Sequence, residues 1–288
     1  MRDLLKLHLV IAVWGFTAVL GKLIELPPVL MLLWRTAMAA LGFAWLARVR
    51  GQSLWLPPEP WRRLLFLGAL LGGHWVLFFL SARLSTASVS LAAMPTSMLW
   101  CSLLEPWVDG SRRWRPLELV VGGVMLGAVW LIYEVELRHW VGFSVALAAA
   151  ALAAVFVVCT KQMVTRCHDA VMGTWQMVGA FLGCLPGWWW LEGAEVALPD
   201  LRSLLLLVFF ASVCTVWAYA GYMDVLRRLP VFTVNVVYNL EPLYGIALAA
   251  LVFGTSEHMR PGFYLGAGII AGSVLALPWL ERWTGQRR

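Results

Sequence analysis

The stretch 233–253, TVNVVYNLEPLYGIALAALVF, decides how this chain is read. Its length and apolar character suit a helix crossing the roughly 30 Å hydrocarbon core of a bilayer. Yet its middle carries Glu241 followed by Pro242. A carboxylate at that depth costs at least about 2.5 kcal/mol. Proline removes one helical hydrogen bond, here freeing the carbonyl of Tyr238 four residues back. Both are tolerable only where the segment faces protein or a water-filled cavity. The stretch is therefore predicted to be a membrane helix lining a polar interior.

The rest of the chain agrees. Of 288 residues 61% are hydrophobic and 13% charged, against roughly 25% charged in a soluble domain. Apolar runs of spanning length fall near 4–21, 28–47, 63–82, 86–107, 116–133, 140–161, 171–191, 203–223, 231–253 and 261–280. The expected fold is all-α and integral to the membrane, with ten spans, short connections and no soluble domain left over. The N-terminal run lacks a small-residue cleavage site and is read as a retained first helix.

Charge placement sets the orientation. With both termini on one side, that side holds 16 of the 22 Lys and Arg residues, the other holds five, and Arg35 lies within a span. Positive charge favours the cytoplasmic face, so both termini are predicted cytoplasmic. The net charge of +6 is thereby explained by topology, and nucleic acid is not an expected partner. The five cysteines show no paired CxxC spacing, so no metal site, cofactor or disulfide framework is expected.

The chain also repeats itself. Shifted by 145 residues, Arg83-Leu84 meets Arg228-Leu229, Arg115-Pro116 meets Arg260-Pro261, Gly123 meets Gly268 and Gly127 meets Gly272; shifted by 139, Lys22 meets Lys161. Two five-helix halves follow, 1–138 and 139–288. Because five is odd, they are inverted relative to each other, an arrangement that in secondary transporters lets two halves rock about a central site.

Five features recur together: the duplicated five-helix unit, Arg35 in LLWRTAMAA (32–40), LEP (240–242), SEHMRPGFYLGAGII (256–270) and glycine-spaced helices 5 and 10. They resemble the EamA-type drug/metabolite transporter superfamily over essentially the whole chain. HWVLFFLSARLS (74–85), MLWCSLLEP (98–106) and YNLEPLYGIALA (238–249) are similar to a bacterial subfamily with histidine in helix 3 and Glu-Pro pairs in helices 4 and 9. The resemblance implies a central cavity lined mainly by helices 1, 3, 4, 6, 8 and 9 in a bacterial inner membrane. It implies substrates such as amino acids, amines, nucleosides or drugs. FGTSE (253–257) resembles the family's glutamate at the end of helix 9, whereas the symmetric position is Arg112. The two gates are therefore not expected to be equivalent.

Ionisable groups inside a membrane are functional candidates because they are costly. Glu241 has three open roles: binding a cationic substrate group, shuttling a proton, or pairing with Arg35. His74, Phe78 and Ser81 share one face of helix 3, and His74 either couples transport to protons or is a neutral, hydrogen-bonded structural histidine. Glu105, with Arg112 and Arg113 beyond it, reads as a salt bridge or inner gate. Asn235, Tyr238, Asn239 and Tyr244 flank Glu241 and either line the cavity or bond helices together. Many of the 18 tryptophans fall near span ends, as an aromatic belt requires. Trp14, Trp75 and Trp217 lie deeper and are candidates for stacking on an aromatic or cationic substrate. Gly123/Gly127, Gly262/Gly266 and Gly268/Gly272 are predicted to form a packing seam between helices 5 and 10, with homodimerisation the lesser option.

The expected function is alternating-access transport of amino acids or related amphiphiles, with export and proton coupling, by a monomer or homodimer. A carrier of organic cations is the nearest alternative. A membrane-embedded lipid-modifying enzyme is the alternative of another class, but the chain has no HExxH, GxSxG, Asp-rich metal motif or phosphate-cradling glycine loop.

Overall fold

Prolines and short polar residues start the helices. Pro28 and Pro58 begin α1's two successors at a position where a missing N–H is harmless: α2 spans Pro28–Val49 and α3 spans Pro58–Leu84, after α1 at Arg2–Leu23. The Thr86 side chain accepts from the Val89 N–H at 3.1 Å and caps α4, Ala87–Ala93. That helix continues through a 3-10 turn, Met94–Thr96, into α5, Ser97–Val108. Then follow α6 (Trp140–Val164), α7 (Asp169–Glu192), α8 (Leu201–Phe209), a π-helical segment (Phe210–Trp217) and α9 (Ala218–Leu226). Last come α10 (Glu241–Phe253) and α11 (Pro261–Trp283).

A computed structural model describes residues 2–108, 139–164, 166–229, 240–254 and 260–283, with single helical positions between 117 and 128 and between 234 and 238. Among these residues there is no strand. Among the described residues six helical runs are long and apolar enough to cross a membrane: α1, α2, α3, Ala87–Leu104, α6 and Leu201–Leu226. The expected span 231–253 is shorter as described, beginning at Glu241. Most of the expected fifth span, 116–133, lies outside the described residues. The expected fourth span is interrupted at Pro95, where proline tightens the helix into the 3-10 turn.

The centre of the protein is where α3 crosses α6 and α7, with α2 against α7 and α1 against α10. Two large apolar clusters fill it, one around Phe79, Phe210, Leu32 and Ile24, the other around Phe43, Leu67, Ile11 and Met223. The outer surface is also apolar: Leu41, Trp45, Phe66, Trp190 and Leu251 are each more than half exposed. An exposed apolar belt of that extent suits contact with lipid.

Close helix crossings occur at glycines, but among the described residues not at Gly123, Gly127, Gly268 or Gly272. These four glycines are exposed, and among the described residues they form no seam. The crossing of α3 and α7 instead uses Gly68 and Gly72 against Gly179 and Gly183: a Cβ on any of the four would collide with backbone of the facing helix. Gly15 of α1 meets Gly245 of α10 in the same way, a Cβ on Gly15 lying 2.8 Å from the Gly245 nitrogen. Small-residue spacing permits close approach, but only the rotation of each helix about its axis decides which pair uses it.

Candidate functional site

Pro242 explains why α10 begins where it does. Its missing N–H cannot reach the Tyr238 carbonyl. The helical path breaks at Leu240 and restarts with Glu241 and Pro242 in the first turn of α10. A proline is at home there, and a carboxylate is favoured by the positive end of the helix dipole. Glu241 is 7% exposed, and Tyr238 stands with it on one wall.

Glu241 and Tyr238 open onto a central cavity of about 100 Å³. Trp14 and Thr17 of α1, Arg35 of α2, His74, Trp75 and Phe78 of α3, and Met94 share its wall. So do Phe156 of α6, Met177 of α7, Cys214 and Thr215 of the π-helical segment, and Tyr219 and Tyr222 of α9. Seven residues singled out from sequence are thus brought together: Trp14, Arg35, His74, Trp75, Phe78, Tyr238 and Glu241. Pockets that hold drug-sized ligands measure roughly 300–1,000 Å³, so this cavity is smaller than such a ligand needs.

One part of the wall is built around Arg35, 3% exposed. Its guanidinium carbon lies 4.1 Å from the Trp75 ring centroid and 3.9 Å from that of Phe210. Its Nε donates to the Thr215 hydroxyl at 2.9 Å, while Nη1 is buried without a hydrogen-bond partner. Among the described residues no carboxylate lies within ion-pair distance of Arg35. The direct Arg35–Glu241 pair considered from sequence is therefore absent, because aromatic faces and Thr215 surround the guanidinium instead.

The other part joins Glu241 and Tyr238 to Trp14, whose indole meets Tyr238 edge-on at 6.0 Å and Tyr222 at 5.1 Å. Trp14 Nε1 donates to the Cys214 carbonyl at 3.1 Å. The π-helical segment thereby links both parts, through Cys214 to Trp14 and through Thr215 to Arg35. His74 stands beside them with Nδ1 2.9 Å from the Ala149 carbonyl. A carbonyl only accepts, so Nδ1 carries the proton and, in the neutral ring, Nε2 is left as an acceptor.

Other sequence candidates lie elsewhere. Trp217 is 43% exposed and faces an outer groove beside α2, because the wide π turn rotates it away from the cavity. The Tyr244 hydroxyl bonds to His8 Nδ1 at 2.8 Å, tying α10 to α1. Asn235, Asn239, Arg112, Arg113 and the Glu105 side chain lie outside the described residues. Sequence reading passed over Thr215, Phe210, Tyr219 and Tyr222. The hydroxyl and aromatic side chains of CTVWAYAGY (214–222) were the available signal for Thr215, Tyr219 and Tyr222.

Both ends of the protein are tied across the chain. At one end Lys6 pairs with Asp224 at 2.6 Å, Arg228 with Asp3 at 3.0 Å and Arg50 with Asp169 at 2.8 Å. At the other, Glu192 accepts from the N–H groups of Val29 and Leu30 at 2.7 and 2.9 Å. Nearby, Arg83 Nη2 donates to the carbonyls of Gly21, Ile24 and Leu26.

Spanning helices, a lipid-suited exterior and a central cavity with buried charge define a multi-pass membrane protein. The description "EamA-like transporter family" matches residues 4–138 and again 140–277. The chain belongs to that family of transporters, within the drug/metabolite transporter superfamily. A solved structure described only as "Crystal structure of protein" superposes with a TM-score of 0.73, covering 98% of this chain and 99% of that one at 17% identity. That likeness concerns the fold alone. No curated protein matches the chain.

Proposed function

We infer that this transporter moves a small amphiphilic metabolite carrying a carboxylate and an ammonium, such as an amino acid, through the central cavity by alternating access. The observation that carries the reading is that Arg35 and Glu241 line one cavity without pairing. Arg35 would receive the carboxylate through its unpartnered Nη1, Glu241 the ammonium, and Trp14 and Trp75 an apolar side group. Desolvated, charge-assisted contacts of this kind are the strong ones. The small cavity volume fits a closed state from which the helices separate to admit substrate.

The reading includes ten spans in two inverted halves, 1–138 and 139–288, with both termini in the cytoplasm of a bacterial cell. The two family matches, meeting near residue 139, support the division. Export is the direction implied by the family resemblance. Glu241 and His74 are the proton-carrying candidates, and uptake indifferent to an imposed pH gradient would remove that role.

Proteoliposome uptake of amino acids and of quaternary amines, in the wild type and in Arg35→Gln, tests the substrate. Loss of amino-acid uptake in a folded variant supports the zwitterion reading. The aromatic wall around Glu241 favours a second reading, an organic cation, and quaternary-amine uptake undiminished in Arg35→Gln would select it.

A further inference from the structure

Outside the central site, a second cavity of about 860 Å³ runs down the surface between α2 and the α8–α9 run. Met38, Gly42, Trp45 and Leu46 form its α2 wall, spaced i, i+4, i+7 and i+8 and so on one helix face. Val208, Ser212 and Val216 form the facing wall. Gly42 permits the two walls to meet at the groove floor, since a Cβ there would lie 2.9 Å from a Val216 methyl. Trp45 is 68% exposed and Val208 49%, so the walls face outward to lipid.

The chemistry changes along the groove. From Met38 to Arg50 the α2 axis rises about 18 Å, close to the roughly 15 Å of hydrocarbon in one leaflet. The apolar walls end in Lys6, Arg50 and Arg227, with Asp169 and Asp224 between them. Arg50 and Arg227 share the single carboxylate of Asp169, at 2.8 and 3.9 Å. Beyond Arg227 an adjoining hollow adds Lys161 and Arg166 and no acid among its lining residues. The mouth is therefore net positive where lipid headgroups lie, above an apolar channel one leaflet deep.

We propose that this groove is a binding site for one anionic phospholipid, its acyl chain lying between Trp45 and Val208 and its phosphate seated on Arg50 and Arg227. Asp169 holds the two arginines in place without neutralising both. Basic pockets between membrane helices recognise anionic headgroups in this manner. The site is separate from the transport cavity and stands whether or not the substrate reading above is right.

The test is native mass spectrometry of the protein released from nanodiscs holding equal phosphatidylglycerol and phosphatidylcholine. One phosphatidylglycerol is expected to be retained preferentially. Removing one charge near the surface weakens such binding about five-fold, so Arg50→Gln and Arg227→Gln should each lower retention by about that factor. Arg62→Gln, whose charge lies off the groove, should leave it unchanged. Ser212→Trp, which fills the exposed channel without touching a charge, should also abolish retention and keeps the test decisive if an arginine variant fails to fold. Equal retention of both lipids, or equal loss in Arg62→Gln, would overturn the proposal.

Discussion

Thr215 stands between Arg35 and the backbone of its own helix: its hydroxyl accepts from Arg35 Nε at 2.9 Å and donates to the Phe210 carbonyl at 3.0 Å. The five-residue reach from Thr215 back to Phe210 belongs to a π-helical turn, a feature frequent at functional sites. Replacing Thr215 by the isosteric valine leaves a buried charged donor unsatisfied, at a cost of about 1–3 kcal/mol. Thr215→Val is expected to lose stability by that amount in denaturant unfolding and to raise the transport KM, while Thr215→Ser retains both. Identical unfolding curves for Thr215→Val and wild type would show that this bond does not hold Arg35.

Arg35 is also held by ring faces. Its guanidinium lies about equally close to Trp75 and Phe210, and a desolvated cation–π contact contributes roughly 0.5–2 kcal/mol. Trp75→Leu should therefore weaken substrate binding by up to about thirty-fold, measured by ligand-dependent thermal shift. Arg35→Lys should not restore a lost Arg35, because lysine lacks the planar fork that stacks and forms paired hydrogen bonds. Full activity in Arg35→Lys would mean that only the charge matters.

The glycine seams separate two kinds of glycine. Gly68→Ala and Gly179→Ala force backbone apart where α3 crosses α7, and overpacking of this sort costs about 1–3 kcal/mol. Gly123→Ala and Gly127→Ala place their methyl groups on exposed helix and should change stability by less than about 0.5 kcal/mol. Melting temperatures of the four variants in one detergent decide the matter. A large loss at Gly123 or Gly127 would point to a partner covering that face.

Acid should loosen the start of α8. Asp200 caps that helix, accepting from the Ser203 N–H at 3.0 Å. Its carboxyl is held below the ordinary range first by the Ser203 side chain and then by that backbone bond. A depressed folded-state value contributes stability above the unfolded value and loses it as pH falls through the folded one. Asp200→Asn keeps an acceptor but cannot titrate. The stability gap between wild type and Asp200→Asn should therefore shrink as the pH falls below the ordinary aspartate value of 3.8. A gap independent of pH would remove the charge from the cap.

What the sequence determined by itself was the class of the molecule and the identity of its costly residues. A bilayer demands long apolar helices whatever their packing, so spans could be read from length and composition, six of them found among the described residues. Arg35, His74 and Glu241 stood out because a buried charge or imidazole must be compensated somewhere. Pro242 marked the break that places Glu241 at a helix start. The tertiary structure decided which way each residue faces. In water, periodic alternation of apolar and polar residues reveals the buried face of a helix. In a membrane both lipid and protein interior are apolar, and that signal vanishes. Trp14 and Trp75 therefore could not be told from Trp217 until the helices were packed, nor Gly68 from Gly123. The π-helical turn at Phe210–Trp217 leaves no mark in sequence, since it is a choice of hydrogen-bond partner one residue further along. That choice turns Thr215 toward Arg35 and Trp217 toward the outer groove.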